Sequence, residues 1–239
     1  MNAIYEHIKT SNQNLLAVLV DPDKMRLSAI EAFMEKVNAS IATHVFVGGS
    51  TVDEGVISSF VKAVKQYTRL PVLLFPGDVT QLTNHADALL FLALISGRNS
   101  EYLIEKQVQA VTKLRGMSLE VIPTGYMLIE NGKETAVQRV SKTLPMKRNA
   151  LDKIVDTAKA GELLGMKLIY LEAGSGALNP IDKALIAAVK EDLNIPLIVG
   201  GGIKNKAQLL ETYKAGADLV VIGTAFEEDP NFFNELIRL

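Results

Sequence analysis

Eight runs rich in Val, Ile and Leu recur along the chain, at residues 15–20, 43–49, 70–75, 87–95, 119–129, 167–173, 195–201 and 218–223, separated by more polar stretches of mixed charge. The runs are continuous rather than alternating, which is the pattern of strands covered on both faces, as in parallel sheets. Between them, residues 27–39, 53–67, 100–114, 149–165, 180–193 and 205–217 repeat their apolar positions at helical spacing and read as amphipathic helices. Asp53 and Asn205 stand where N-caps belong, and Gly165 where a helix should end. The third unit differs: "PGDVTQLTNHA" is too short for a full helix. The stretch "NGKETAVQRVSKTLPMKRN" (131–149) is the sizeable insertion, joining the fifth strand to its helix. No linker or shift of composition interrupts the rhythm, so residues 1–239 are expected to form one domain. Eight strand-helix units in a chain of this length predict an α/β fold, a (β/α)8 TIM barrel with a reduced third β/α unit, whose active site lies at the carboxyl ends of the strands. A doubly wound open sheet is the rival.

Composition narrows the function. With 239 residues and 48% hydrophobic content, the chain can bury a large core. Cysteine is absent, which removes disulfides, thiolate metal sites and cysteine nucleophiles and fits a reducing, cytoplasmic setting. The first residues carry no apolar h-region or cleavage site, so export is not expected. Apolar runs fall short of the ~18 residues that span a bilayer. With 25 basic against 27 acidic residues and no basic stripe, nucleic acid is not an expected partner.

In a barrel, the residues that matter follow each apolar run. Strand 7 ends in Gly201 and Gly202, and strand 8 in Gly223 and Thr224. Strand 6 is followed by Gly174, Ser175 and Gly176. Exposed amides on successive strand ends, helped by the positive end of a short helix, make an anion site. Strand 1 ends in "VDPDK", with Asp21 at the rim, and strand 2 in "VGGST", with Ser50 and Thr51. One carboxylate and one hydroxyl do not make a calcium cage, but Mg²⁺ accepts one or two protein oxygens and lets phosphates and water fill the rest. His7, His44 and His85 stand in a leading helix, a strand's beginning and a mid-chain helix, away from the rim. No G-x-S-x-G stretch is present, which sets aside hydrolytic triads.

Taken together, "LVDPDK", "VGGST", "LLFPGDVTQL", "ADALLFLALISGRN", "YLEAGSGA", "VGGGIKN" and "GADLVVIGTAFEED" strongly resemble the geranylgeranylglyceryl phosphate synthase family, which includes the bacterial heptaprenylglyceryl phosphate synthases. The likeness runs in order from about residue 15 to residue 229; "YLEAGSG" and "FPGD" are its specific parts. The resemblance implies a barrel enzyme that joins a polyprenyl diphosphate to sn-glycerol 1-phosphate through an ether bond, with Mg²⁺. It places Asp21 and Ser50 at the metal. It places Tyr170, Leu171, Glu172, Ala173, Gly174, Ser175 and Gly176 on the glycerol phosphate, joined by Gly201, Gly202, Gly223 and Thr224. One departure is visible: some members carry Lys two residues before the metal-binding Asp, where this chain has Leu19.

Glu172, a carboxylate next to an anion loop, needs a reason. Ether formation supplies one, because the glycerol hydroxyl must lose its proton to a base while its phosphate is held one glycerol length away. Glu172 is therefore the expected base and Tyr170 its neighbour that orients the substrate. Leu74, Phe75, Phe91, Leu92, Leu94 and Tyr102 are available for a prenyl channel, and the reduced third unit for its opening. A homo-oligomer with peripheral membrane contact is expected. The rival readings are another phosphate-binding barrel enzyme, an isomerase or lyase of small phosphorylated metabolites, and a non-catalytic phosphate or lipid binder; Mg²⁺-dependent product formation separates them.

Overall fold

The computed structural model describes residues 3–49, 52, 55–228 and 232–237. Each of the eight apolar runs is a strand: β1 (Leu15–Val20), β2 (His44–Val47), β3 (Val72–Leu74), β4 (Ala88–Leu94), β5 (Glu120–Leu128), β6 (Leu168–Glu172), β7 (Leu197–Gly200) and β8 (Leu219–Ile222). All pair in parallel with their sequence neighbours, and β8 closes on β1 through Leu15↔Leu219 and the pairs beyond it. The barrel is closed and the open-sheet rival falls away. Successive residues of a strand face opposite sides. Leu168 and Tyr170 of β6 therefore point into the barrel with Phe46, Leu90 and Tyr126, while Ile169 and Leu171 pack outward against the helices.

The helices are α1 (Ala3–Thr10), α2 (Ile30–Ala39), α3 (Val56–Tyr67), α4 (Lys106–Leu114), α5 (Ala136–Ser141), α6 (Leu151–Leu163), α7 (Lys183–Asp192), α8 (Lys206–Lys214), α9 (Thr224–Glu228) and α10 (Phe232–Glu235). Asn205 caps α8, its side chain accepting from Gln208 N at 2.9 Å, and Gly165 turns the chain after α6 at φ 97°. Asp53 lies outside the described residues. The helix expected at 100–114 starts as a π turn (Glu101–Glu105) before α4. No helix of the described residues is long and apolar enough to cross a membrane.

Two features set the openings of the barrel. At the amino end, α1 plugs the interior with Tyr5 and Ile8, its first amides, Ile4 N and Tyr5 N, each donating at 2.9 Å to the Glu120 carboxylate. In the third unit, residues 75–87 cross from β3 to β4 without a helix, so His85 sits in a turn rather than in the helix the sequence suggested. Buried Gln81 holds that crossing by accepting from Gly77 N at 3.1 Å and donating to Gly49 O at 2.9 Å.

The amino end also carries the buried imidazole of His44, its ring centroid 5.6 Å from that of His7. The Thr43 hydroxyl donates to Leu16 O at 3.0 Å, so His44 Nδ1, 2.8 Å from that hydroxyl, donates to it. Nε2 is buried without a partner and has nothing to receive a proton. Burial, reinforced by His7, lowers the His44 pKa from 6.5 to about 4. The unfolded chain thus takes up this proton first as pH falls, so the contribution is intact above the unfolded pKa and is lost between pH 6.5 and about 4. We expect the stability lost on acidification across that range to be about 3 kcal/mol smaller in His44→Leu than in the parent chain, at 1.36 kcal/mol per pKa unit. Urea unfolding at both ends of the range measures it.

Candidate functional site

At the carboxyl ends of the strands lies a cavity of about 590 Å³. Its polar pole is built by strands 6, 7 and 8. Glu172, the last residue of β6, is 6% exposed, and its Oε1 accepts from Gly174 N at 2.5 Å. Burial raises its pKa, while the Gly174 amide and the Tyr170 phenol, both donors toward the carboxylate, pull the other way. Among the described residues no Lys or Arg pairs with it. The strand after it must be bare: a methyl on Gly200 would lie 2.4 Å from Tyr170 Oη and 3.0 Å from Glu172 Oε2.

Around this carboxylate the three glycine loops converge. Gly174 and Gly176 have φ of 101° and 61°, Gly201 and Gly202 of 86° and 75°. Ser175 Oγ lies 2.9 Å from Thr224 Oγ1, which joins the strand-6 loop to the strand-8 loop. Ser175, Gly176, Gly201, Gly202, Gly223 and Thr224 all line the cavity with Glu172 and Tyr170. Leu171 and Ala173 do not. The side chains of both face the helix layer, as alternate strand positions must. Leu19 sits against Gly223, where a Gly223 methyl would lie 3.3 Å from its Cβ, so this side of the anion loops is apolar.

Tyr170 is 1% exposed and belongs to an aromatic floor that sequence reasoning missed. Its ring stacks on Phe75 at 5.4 Å and meets Tyr126 edge-on at 5.3 Å. Burial, with Glu172 nearby, raises both phenols well above the ordinary tyrosine pKa, so they stay protonated. Tyr170 also hydrogen-bonds Glu172 and lines the cavity beside it.

The end of strand 1, next to strand 8, lines the same cavity with Asp21. Asp21 Oδ1 accepts from Asp23 N at 3.1 Å, and Lys24 Nζ is 3.8 Å from Oδ2. A methyl on Gly49 would come within 2.6 Å of Oδ1, so the bare end of strand 2 leaves that oxygen accessible. Ser50 and Thr51 lie outside the described residues. Among the described residues no three His, Cys, Asp or Glu side chains converge on one point. The Asp21 carboxylate fits Mg²⁺ brought in by phosphate oxygens and does not fit a protein-only cage.

The apolar pole explains the missing helix. The cavity touches Leu90 and Leu92 on the inner face of β4 and also Leu89 and Phe91 on its outer face, with Leu82 and Val79 of the helix-free crossing. It therefore passes out through the wall where the third helix would stand. Phe75, Leu94 and Tyr102 line it as expected; Leu74 faces the outer core instead. One ion pair crosses this arm: Lys106 Nζ binds Asp78 Oδ2 at 2.5 Å and lies 5.3 Å from the Tyr102 ring.

The insertion closes the remaining side. It leaves and returns at a bridge between Ile129 and Met146 and carries α5, capped by Thr135, which accepts from Gln138 N at 3.1 Å. Buried Asn131 donates from Nδ2 to Ala173 O, and its carbonyl accepts from Asn179 N at 3.3 Å. Val137 and Val140 of α5 form one wall of the cavity.

Known proteins share this arrangement. The family model described as the PcrB family matches residues 9–238. The chain is 54% identical over 226 residues to the geranylgeranylglyceryl phosphate synthase of Flavobacterium johnsoniae, covering 95% of this chain and 93% of that one. It is 38% identical over 228 residues to the protein of that name from Thermococcus kodakarensis, covering 94% and 88%. In structure it superposes, with a TM-score of 0.91 and 31% identity over 97% of this chain and 94% of that one, on the (S)-3-O-geranylgeranylglyceryl phosphate synthase of Thermoplasma acidophilum, solved in complex with its substrate sn-glycerol-1-phosphate. With a match that runs from residue 9 to residue 238 and relatives aligned along almost the whole length, the chain belongs to the PcrB family.

Proposed function

We propose that the chain is a prenyltransferase that joins a polyprenyl diphosphate to sn-glycerol 1-phosphate by an ether bond and releases diphosphate. The observation that carries this reading is Glu172: a buried carboxylate with no cationic partner among the described residues, held by Gly174 N at the centre of three glycine loops. The phosphate of the glycerol substrate lies on the loops of Gly174, Ser175 and Gly176, Gly201 and Gly202, and Gly223 and Thr224. Its hydroxyl then reaches Glu172. The allylic carbon-oxygen bond to diphosphate breaks, the glycerol oxygen bonds to that carbon, and the hydroxyl proton passes to a Glu172 oxygen. Positive charge on the allylic carbons meets the Glu172 carboxylate and the faces of Phe75, Tyr126 and Tyr170, which attract cations.

Asp21, with Ser50 by resemblance, would hold Mg²⁺, which when bound acts as a Lewis acid on the leaving diphosphate and is worth several kcal/mol. The hydrocarbon tail occupies the arm between Leu82, Phe91 and Leu92, where burial is worth about 0.8 kcal/mol per CH₂. Purified protein incubated with sn-glycerol 1-phosphate and a ladder of prenyl diphosphates, with Mg²⁺ or with chelator, is expected to give an ether product by mass spectrometry only with Mg²⁺. The length preferred measures the arm. Absence of product from every member of the ladder, with glycerol phosphate still bound, would leave a phosphate-binding barrel of other chemistry.

A further inference from the structure

Resting on that reading of the substrate, we propose that Lys133, in the insertion after strand 5, is a phosphate-binding residue that sets the affinity for sn-glycerol 1-phosphate. The loops that cradle the phosphate offer neutral amides and hydroxyls, yet Glu172 and Asp21 share the same cavity. Asp23, Asp78 and Glu134 line it too, so a phosphate entering it meets carboxylates and is favoured by a cation. On the strand-8 side, Leu19 packs against Gly223 and offers no charge.

Most cations lining the cavity have other partners. Lys106 binds Asp78 and, at 3.4 Å, Glu101; Arg139 is 3.8 Å from Glu134; Lys24 is 3.8 Å from Asp21. Lys133 forms no ion pair with any described residue, and its ammonium hangs over the anion loops. A methyl on Gly176 would lie 3.1 Å from Lys133 Nζ and 3.9 Å from Thr224 Cγ2, so the ammonium stands where the strand-6 and strand-8 loops meet.

The backbone beneath it is tied to the same loop. Asn131 donates to Ala173 O and accepts from Lys133 N at 3.1 Å, and a methyl on Gly174 would lie 2.4 Å from Thr135 Cγ2. Lys133 is thus carried by the turn it serves, with a long exposed side chain that can follow a phosphate. Lys204 also lines the cavity and serves as the comparison.

The test is calorimetric titration of the intact protein with sn-glycerol 1-phosphate and, separately, with inorganic phosphate, for the parent chain, Lys133→Gln, Lys133→Arg and Lys204→Gln. Lys133→Gln is expected to weaken both ligands about tenfold, roughly 1.4 kcal/mol. Its binding should depend less on salt, since exposed charges are screened within about 10 Å at 0.1 M. Lys133→Arg is expected to restore most of the affinity, and in Lys133→Gln the KM for sn-glycerol 1-phosphate is expected to rise in step with the lost affinity. A parent chain that binds both ligands while Lys133→Gln binds them equally well overturns the assignment, as does a larger loss in Lys204→Gln. A parent chain that binds inorganic phosphate through Lys133 but not sn-glycerol 1-phosphate supports the cation and removes the substrate reading instead.

Discussion

Glu172→Gln is expected to lower turnover by two orders of magnitude or more while leaving the affinity for sn-glycerol 1-phosphate within a few fold. The substitution keeps the volume of the side chain and an oxygen to accept from Gly174 N, so the loop that holds the phosphate keeps its anchor. What it removes is the group that takes the proton, and a lost general base typically costs 10² to 10⁴ in rate. Burial raises the Glu172 pKa, so the base ionises above the ordinary carboxylate range and the acid limb of the turnover profile should lie there as well. The residual activity of the variant should lack that limb. Turnover measured across pH at saturating substrate separates the outcomes, and an unchanged rate would place the base elsewhere.

Gly201→Ala is expected to lower kcat/KM about a hundredfold or more, a loss near 3 kcal/mol. At φ 86° an L side chain is strained, and its methyl would lie 2.6 Å from Glu172 Oε1, 2.7 Å from Gly174 N and 2.9 Å from Gly174 O. Backbone atoms cannot swing aside as a side-chain tip can, so either the carboxylate or the phosphate loop must shift. Gly55 provides the comparison. It has φ 90° with nothing within 4 Å of an added methyl, so Gly55→Ala meets the same backbone strain in open space. Its expected cost is of order 1–2 kcal/mol of stability, with activity unaffected. Steady-state kinetics on both variants, with stability measured alongside, isolates the contact from the strain; equal losses of kcat/KM would mean that the close approach to Glu172 does not matter.

The barrel was legible because strands buried on both faces must be apolar without interruption, and each of the eight runs became one strand. The reduced third unit was legible from its length alone. Glu172 stood out because a carboxylate at the end of such a run has no reason to be there in a purely structural strand. Tyr126, by contrast, was hidden inside the run 119–129, where an aromatic residue is ordinary core until its neighbours Phe75 and Tyr170 are placed beside it. Leu171 and Ala173 were included by position in a motif, and strand alternation points their side chains to the helix layer. The insertion was visible as a length, but its union with the strand-6 loop through Asn131 and Ala173 joins residues 42 apart, and nothing local announces that contact.

On the proposed reading, the missing third helix gives the cavity a second door beside the one at the rim. A small, charged molecule would then come down the axis to the glycine loops and a long, greasy one over the ends of β3 and β4 from the flank, neither passing through the berth of the other. A product polar at one end and oily at the other would, on the same reading, leave by the flank with its head last.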